Sequence, residues 1–352
     1  MRCDLCGKPA VTFVRYNGAH LCAEHFCTYV ERRVRREVRR EASLERGDTV
    51  GVAVSGGKDS MVTLSILSEL FGERNGIRLV CISLDEGIEG YRPPSLGIVK
   101  DFCAQKGIEY RQRSFSEMGL SMDEVAPISE NASPCTYCGV FRRKLMNDEA
   151  RKCGCTCLAT GHNLDDMAQS IMMNFARGDI ERLARLGPHK DPPEGMVPRI
   201  YPLRMVTEKE SLLYSVVKGV PHWDGECPYW QAALRNEYRD IVDGLEDRTP
   251  GAKFSILSSY DKLRPMLTEK YPRSGMGTCA CGEPCNGSRC KACEFEELLR
   301  KRLGKNRRSS APTPSLGLFQ HPVCDVHDLY PVVCSEVESI RCQDRLGEVV
   351  PY

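Results

Sequence analysis

Four groups of residues in this sequence are spaced for chemistry. The first is Val50-Gly-Val-Ala-Val-Ser-Gly-Gly-Lys-Asp-Ser60, an apolar run that enters a glycine turn and leaves it as a helix. Such a turn presents backbone N–H groups and a helix N-terminus to an anion, and Gly56 and Gly57 let a phosphate approach without meeting a Cβ. It is not a Walker A loop, which would carry glycine at position 52 and Ser or Thr after the lysine; Val52 and Asp59 stand there instead. An acid directly after the lysine suits magnesium beside phosphates, with Lys58 neutralising charge and Ser55 and Ser60 supplying hydroxyls.

The other three groups are built on cysteine. Cys3-x2-Cys6-x15-Cys22-x2-His25 has two close pairs at zinc-ribbon separation, a closed four-ligand set that reads as structural zinc; Cys27 is a weaker substitute for His25. Pro134-Cys-Thr-Tyr-Cys-Gly-Val-Phe-Arg-Arg143 places Cys135 and Cys138 at the start of a helix. That spacing serves a redox pair, half of a zinc site or part of an iron–sulfur site, and four zinc ligands are not at hand locally. A lone Cys227 follows in Asp224-Gly-Glu-Cys-Pro-Tyr-Trp230. Finally Cys279, Cys281, Cys285, Cys290 and Cys293 offer five thiols for four positions of a second structural zinc site, with Cys279 preferred to Cys285. Cys153, Cys155 and Cys157 read as buried packing, Cys155 and Cys157 on one face of a strand.

These groups need a scaffold. Between Asp48 and about Met205 short apolar runs alternate with helical stretches, the pattern of an α/β fold with a doubly wound parallel sheet. Strands are expected at 49–54, 77–84, 108–114 and 156–160, and helices at 59–71, 95–106, 140–152 and 165–176. Ligands of such a sheet sit at the carboxyl ends of its strands, which puts the chemistry in the loops after 54, 84 and 160. The domain plan is a zinc module at 1–26, a basic linker helix at 27–47, the sheet domain at 48–225, a helical extension at 226–270, a second zinc module at 271–305 and a weakly ordered tail at 306–352, with helical character expected over 207–245. The tail carries Cys324, His327, Cys334 and Cys342 at spacing too irregular for a clear metal site. The linker helix, with seven arginines against four glutamates from Phe26 to Arg46, reads either as a solvated face or as a phosphate-contact surface. A second basic run comprises Arg300, Lys301, Arg302, Lys305, Arg307 and Arg308.

Composition narrows the class. Twenty cysteines in 352 residues exceed ordinary usage, yet the chain is too long for a small disulfide-stapled domain, so metal or thiol chemistry in a reducing, cytoplasmic setting is the expectation. The 41% of apolar residues suffice for a core, and no long uncharged apolar window suggests a membrane span. A net charge of +1 leaves any acidic partner to be met by local basic patches.

SGGKDS after a strand resembles the PP-loop of the ATP pyrophosphatases, which adenylate a substrate and release pyrophosphate. Leu84-Asp-Glu86 resembles the nucleotide-holding segment of that superfamily, and Ala159-Thr-Gly-His-Asn-Leu-Asp-Asp166 the second signature of its tRNA 2-thiolation enzymes, the TtuA, Ncs and Ctu type. The resemblance implies ATP contacts at Ala53, Ser55, Gly56, Gly57, Lys58, Ser60, Asp85 and Gly161, with Asp59 and Asp166 near magnesium. It implies that Cys135, Cys138 and Cys227 ligate a 4Fe–4S cluster, Cys135 and Cys227 being catalytic; a Cys227 persulfide is the competing scheme. It departs from the family pattern at Thr278, where a cysteine of the second zinc module is expected. Implied partners are tRNA, ATP, a sulfur donor (a thiocarboxylated ubiquitin-like carrier or sulfide) and a second copy of the chain. CTYCGVFRR and MNFARGDI are closer to enzymes of the wobble position 34 than of position 54. A different PP-loop synthetase would leave Cys135, Cys138 and Cys227 unexplained, and a noncatalytic zinc-dependent RNA-binding protein would leave SGGKDS without purpose.

Overall fold

The computed structural model describes residues 1–71, 76–130, 132–188, 192–230, 235–272 and 277–306. The expected tail, including Cys324, His327, Cys334 and Cys342, lies outside them, as do Arg307 and Arg308.

Residues Cys3 to His25 form a knuckle and a hairpin, β1 (Thr12–Val14) against β2 (Ala19–Leu21), that runs straight into helix α1 (Ala23–Glu41). The helix shows why its basic composition was ambiguous. One face, Phe26, Val30, Val34 and Val38, is buried in the main core, where each fully buried aliphatic side chain contributes about 1.5–3 kcal/mol. On the same helix Arg33, Glu37 and Glu41 are buried as well. Arg33 Nη1 donates to both Glu210 oxygens at 2.9 and 3.0 Å, and its guanidinium lies among the rings of Tyr16, Tyr29 and Phe254. Part of the basic face is thus an internal ion pair.

The sheet domain alternates strand and helix: β3 (Thr49–Ala53), α2 (Lys58–Leu70), β4 (Arg78–Asp85), α3 (Arg92–Lys106), β5 (Glu109–Ser114), the short α4 (Met122–Val125), α5 (Pro134–Lys152), β6 (Cys157–Thr160), α6 (Leu164–Ala176), α7 (Ile180–Ala184) and β7 (Arg199–Ile200). The strands lie parallel in the order β5-β4-β3-β6-β7. β4 and β5 lie on one side of β3 and β6 and β7 on the other, so the order reverses between β3 and β6. A crevice opens there, at the carboxyl ends of the strands. Val50, Val52, Cys157 and Ala159 face the core that α1 and α2 share, whereas Val80, Ile82 and Leu158 face α5. Cys155 and Cys157 are both buried, as expected, but on opposite sides of the sheet: β6 begins at Cys157, and Cys155 precedes the strand's alternation.

The expected helical stretch 207–245 is two helices. A capping box of Thr207 and Glu210 opens α8 (Glu208–Lys218), and Gly219 closes it in the left-handed conformation at φ 64°. An irregular segment through Cys227 then precedes α9 (Arg235–Arg248) and α10 (Ala252–Lys270). The chain ends, among the described residues, in a small hairpin of β8 (Gly277–Thr278) and β9 (Pro284–Cys285) and in α11 (Lys291–Asn306), which packs on α5. No helix of the described residues is long and apolar enough to cross a membrane.

Candidate active site and metal centres

The glycine turn after β3 is held in shape by its own serines. Ser60 Oγ donates to Gly57 O at 2.8 Å and accepts from Ser55 N at 3.2 Å. Gly57 caps α2 with no side-chain cap bond, so the first N–H groups of that helix are left for a ligand. Two glycines are dictated by close approach. Gly56 has φ +88°, and a Cβ there would lie 2.5 Å from Ser95 O; a Cβ on Gly161, after β6, would lie 2.8 Å from Ser60 N.

A cavity of about 340 Å³ fills the crevice. It is lined by the turn (Ser55, Gly57, Lys58, Asp59, Ser60), by Gly161, His162 and Asp166 after β6, and by Ala53, Glu86 and Arg142. The structure therefore brings together most of the residues expected at a nucleotide. Gly56 and Asp85 are not among the lining residues. Gly56 packs on Ser95, and Asp85 Oδ1 accepts from Gly87 N at 2.9 Å, closing the turn after β4.

Charge in the cavity is arranged around Lys58, whose Nζ stands 3.7 Å from Asp59 Oδ1 and 3.4 Å from Glu208 Oε1. Burial pushes Asp59 up to about 6, against the pull of Lys58 and the nearby Ser211 side chain, with Asp166 and Glu208 adding to the rise. A carboxylate so reluctant to carry charge in a cavity with a second acid is suited to a divalent cation. Asp166 is both a lining residue and the acid of a capping box: its amide donates to Asn163 Oδ1 at 2.9 Å, and its own Oδ2 accepts from Asn163 N at 3.2 Å. Its neighbour Asp165 is committed elsewhere, in a buried pair with Lys253.

Two four-ligand groups stand apart from the cavity. In Cys3, Cys6, Cys22 and His25, and again in Cys279, Cys281, Cys290 and Cys293, all ligand atoms lie within 4.8 Å of one another. Neighbouring pairs are 3.7 Å apart for Cys6 and Cys22, 3.8 Å for Cys279 and Cys293, and 3.5 Å for Cys281 and Cys290. Zinc–sulfur bonds of about 2.3 Å in a tetrahedron require sulfurs about 3.8 Å apart, so both groups fit a tetrahedral ion. Each uses a knuckle plus the start of a helix: Cys22 caps α1 with His25 one turn on, and Cys290 precedes α11 with Cys293 in its first turn. Burial opposes charge on Cys3, yet backbone N–H groups of Cys22, Leu5 and Cys6 hold its thiol down at about 6; those of Cys281 and Cys290 hold Cys279 at about 6. Cys285 stays outside its group, its thiol donating to Gly287 O at 3.1 Å.

Cys135 and Cys138 lie in the first turn of α5, begun by Pro134, and the segment after α8 brings Cys227 to them. The thiols are neighbours by charge, since Cys227 is raised by Cys135 and Cys138 by Cys227, but they do not form a group within 4.8 Å. Burial comes first in each case: it raises Cys135 and Cys227 and takes Cys138 to about 12. Three partly buried thiols, set wider than one tetrahedral ion spans, fit a larger multinuclear group. The link to the cavity is Arg142, one turn after Cys138. Burial works against its charge, and Glu86, Cys138, Tyr91 and Cys227 restore it above the ordinary arginine value. Arg142 lines the cavity and lies 3.3 Å from Glu86. A second link is backbone: Trp223 N, four residues before Cys227, donates to Gly56 O at 2.8 Å.

Residues 28–242 match the model of the PP-loop domain, and residues 2–27 match that of the N-terminal LIM domain of the 2-thiouridine synthetase TtuA. The tRNA 2-thiolation protein NcsA of Haloferax volcanii is 39% identical over 321 residues, covering 85% of this chain and 99% of the relative. The chain belongs to the PP-loop family of tRNA 2-thiolation proteins. Another relative is the tRNA-5-methyluridine(54) 2-sulfurtransferase of Pyrococcus horikoshii, 33% identical over 303 residues, or 86% of this chain and 95% of that one. Among solved structures, the U34-tRNA thiolase NcsA from Methanococcus maripaludis with its 4Fe–4S cluster superposes with a TM-score of 0.69 at 38% identity, covering 75% of this chain and 88% of that one. Sequence reasoning did not reach Arg92 at all and quoted Glu86 and Arg142 only within motifs, without a role. The signal available was alternation: Asp85 ends a strand, so Glu86 points differently from it.

Proposed function

We propose that the chain converts O2 of a tRNA uridine to sulfur, at the wobble position 34. The observation that carries this reading is the place of Arg142, which lines the nucleotide cavity, pairs with Glu86 at 3.3 Å and stands one helical turn after Cys138 on α5. One guanidinium therefore serves both an adenylation pocket and a three-thiol site.

The chemistry needs both. The C2 carbonyl of uracil is a poor electrophile with a poor leaving group; attack of O2 on the α-phosphorus of ATP expels pyrophosphate and turns that oxygen into part of an AMP leaving group. The N–H groups at the start of α2, Lys58 and the hydroxyls of Ser55 and Ser60 would bind the phosphates and take up charge on the departing pyrophosphate. Asp59 and Asp166 would hold the magnesium that accompanies ATP. A 4Fe–4S cluster on Cys135, Cys138 and Cys227 would leave one iron without a protein thiolate, open to bind hydrosulfide. Arg142 would balance negative charge where adenylate and sulfur meet, and AMP leaves as a carbon–sulfur bond replaces the carbon–oxygen bond. Zinc at the two four-ligand groups is structural in this scheme, because four ligands close each site. The sulfur comes from sulfide or a thiocarboxylated carrier protein, in a cytoplasmic setting; a dimer is compatible with the scheme but plays no part in it.

The stronger similarity to proteins of position 34 supports that choice over 54. The test is anaerobic incubation of the iron- and sulfide-loaded protein with tRNA, ATP and hydrosulfide, followed by nuclease mapping and mass spectrometry. Sulfur at uridine 34 is expected, sulfur at 54 would move the target, and its absence from every uridine would overturn the reading.

A further inference from the structure

Glu86 is 1% exposed and its two oxygens are shared between two arginines. Arg92, 4% exposed at the start of α3, grips it with two nitrogens: Nη2 donates to Oε1 at 2.8 Å and Nε meets Oε2. The remaining Nη1 of Arg92 donates to Ser55 O at 2.9 Å, on the glycine turn itself. Arg92 is thus tied both to the carboxylate and to the turn. Arg142 differs. Its Nε lies 3.3 Å from Glu86 Oε1, its side chain is 41% exposed, and it lines the cavity that also holds Lys58. A chain of charge thus runs from the backbone of the phosphate turn through Arg92 and Glu86 to Arg142.

We infer that Glu86 is a positioning residue that fixes Arg142 as a phosphate ligand of the nucleotide, working with Lys58. The physical reason lies in the asymmetry of the two arginines. Without the carboxylate, their like charges repel; Arg92 is anchored by burial and by Ser55 O, so the half-exposed Arg142 is the one that swings away. Glu86 borders the cavity but is 1% exposed, and its role is to act through Arg142. The inference rests on the nucleotide reading of the cavity and not on sulfur transfer.

The test is calorimetric titration of magnesium-ATP into the cluster-free chain as wild type, Glu86→Gln, Arg142→Ala and the double variant, with melting midpoints measured alongside. Each single change is expected to weaken ATP about tenfold, the worth of one charge-assisted hydrogen bond. The double variant should bind within about twofold of Arg142→Ala alone, because a group that works only through Arg142 has nothing left to do. Glu86→Asp, which keeps the charge, should lose about threefold and shows the same non-additivity should the glutamine variant fail to fold. Wild-type affinity in Glu86→Gln, or losses that multiply to about a hundredfold in the double variant, would overturn the assignment. Tight ATP binding that obeys this pattern in a protein that never thiolates tRNA would sink the thiolation reading while supporting the role of Glu86.

Discussion

The two four-ligand groups and the three-thiol site use the same local device and arrive at opposite properties. Each places a cysteine at or near a helix start with a second ligand three residues on: Cys22 and His25 on α1, Cys290 and Cys293 on α11, Cys135 and Cys138 on α5. In the first two a nearby knuckle completes a tight set, and backbone N–H groups bring one thiol of each to about 6 while Cys6, Cys290 and Cys293 of the same sets are raised; the three-thiol site has no such lowered member. The third recruits one cysteine from 89 residues further on, counting Cys138 to Cys227, and its thiols sit above their ordinary values because burial outweighs every donor. Closure makes a metal group a strut, whereas an incomplete, desolvated set beside a nucleotide cavity leaves coordination free for chemistry.

The sharpest way to break this contrast is to remove one ligand from each kind of site. Cys227→Ala or Cys138→Ser should cut thiolation by more than about a thousandfold, measured as 2-thiouridine per tRNA, with the melting midpoint nearly unchanged. Cys22→Ser or Cys290→Ser should instead unfold its module, since bound zinc contributes about 10–16 kcal/mol in small zinc-dependent folds; the readout is solubility and a melting curve. Thiolation surviving the first change, or stability surviving the second, would erase the distinction. Metal counts sharpen it: anaerobic protein should contain about two zinc ions and about four irons per chain, with iron alone lost in the Cys227 variant.

A smaller effect separates the phosphate turn from both metal designs. Gly56→Ala places a Cβ 2.5 Å from Ser95 O at φ +88°, which costs about 1–3 kcal/mol and should abolish measurable ATP binding while zinc and iron contents stay level. Titration calorimetry on the folded variant decides it; normal ATP affinity would mean that the turn is not the phosphate site.

The smallest expected effect concerns the structural side alone. Glu37, Glu41 and Asp261 pack around Arg40 and Arg204, and burial pushes Glu41 up to about 8, only partly offset by the Tyr201 N–H. The folded state therefore holds a proton that the unfolded chain releases near 4.5, so stability falls as pH rises from about 4.5 through about 8. Urea melts at pH 6 and pH 9 should differ by on the order of 2 kcal/mol through this group, and Glu41→Gln should flatten that slope. An unchanged slope would show that Glu41 is ionised throughout.

What could be read from the sequence was whatever is local. The central strands β3, β4 and β6 announce themselves as apolar runs, the metal groups as close cysteine pairs, and the phosphate turn as SGGKDS. Partnerships across the chain could not be read. Arg33 finds Glu210, Glu86 finds Arg92 and Arg142, and Asp165 finds Lys253 only once the sheet and helices are assembled. Composition alone therefore left α1 open between a solvated and a phosphate-contact face, although it buries three of its charged residues. The break after α8 was visible in Gly219 and Pro221, a glycine cap followed by proline, but the helical periodicity on either side obscured it.

The central claim is that the nucleotide cavity and the three thiols form one active site. Its most direct test is to count AMP and 2-thiouridine together, with tRNA, magnesium-ATP and hydrosulfide under anaerobic conditions, for the wild-type chain and Cys227→Ala. One AMP released for each thiouridine formed in the wild type, and no thiouridine from a Cys227→Ala protein that still binds ATP, is the predicted result. Thiouridine formed at the wild-type rate without Cys227, or with no AMP released, would contradict it.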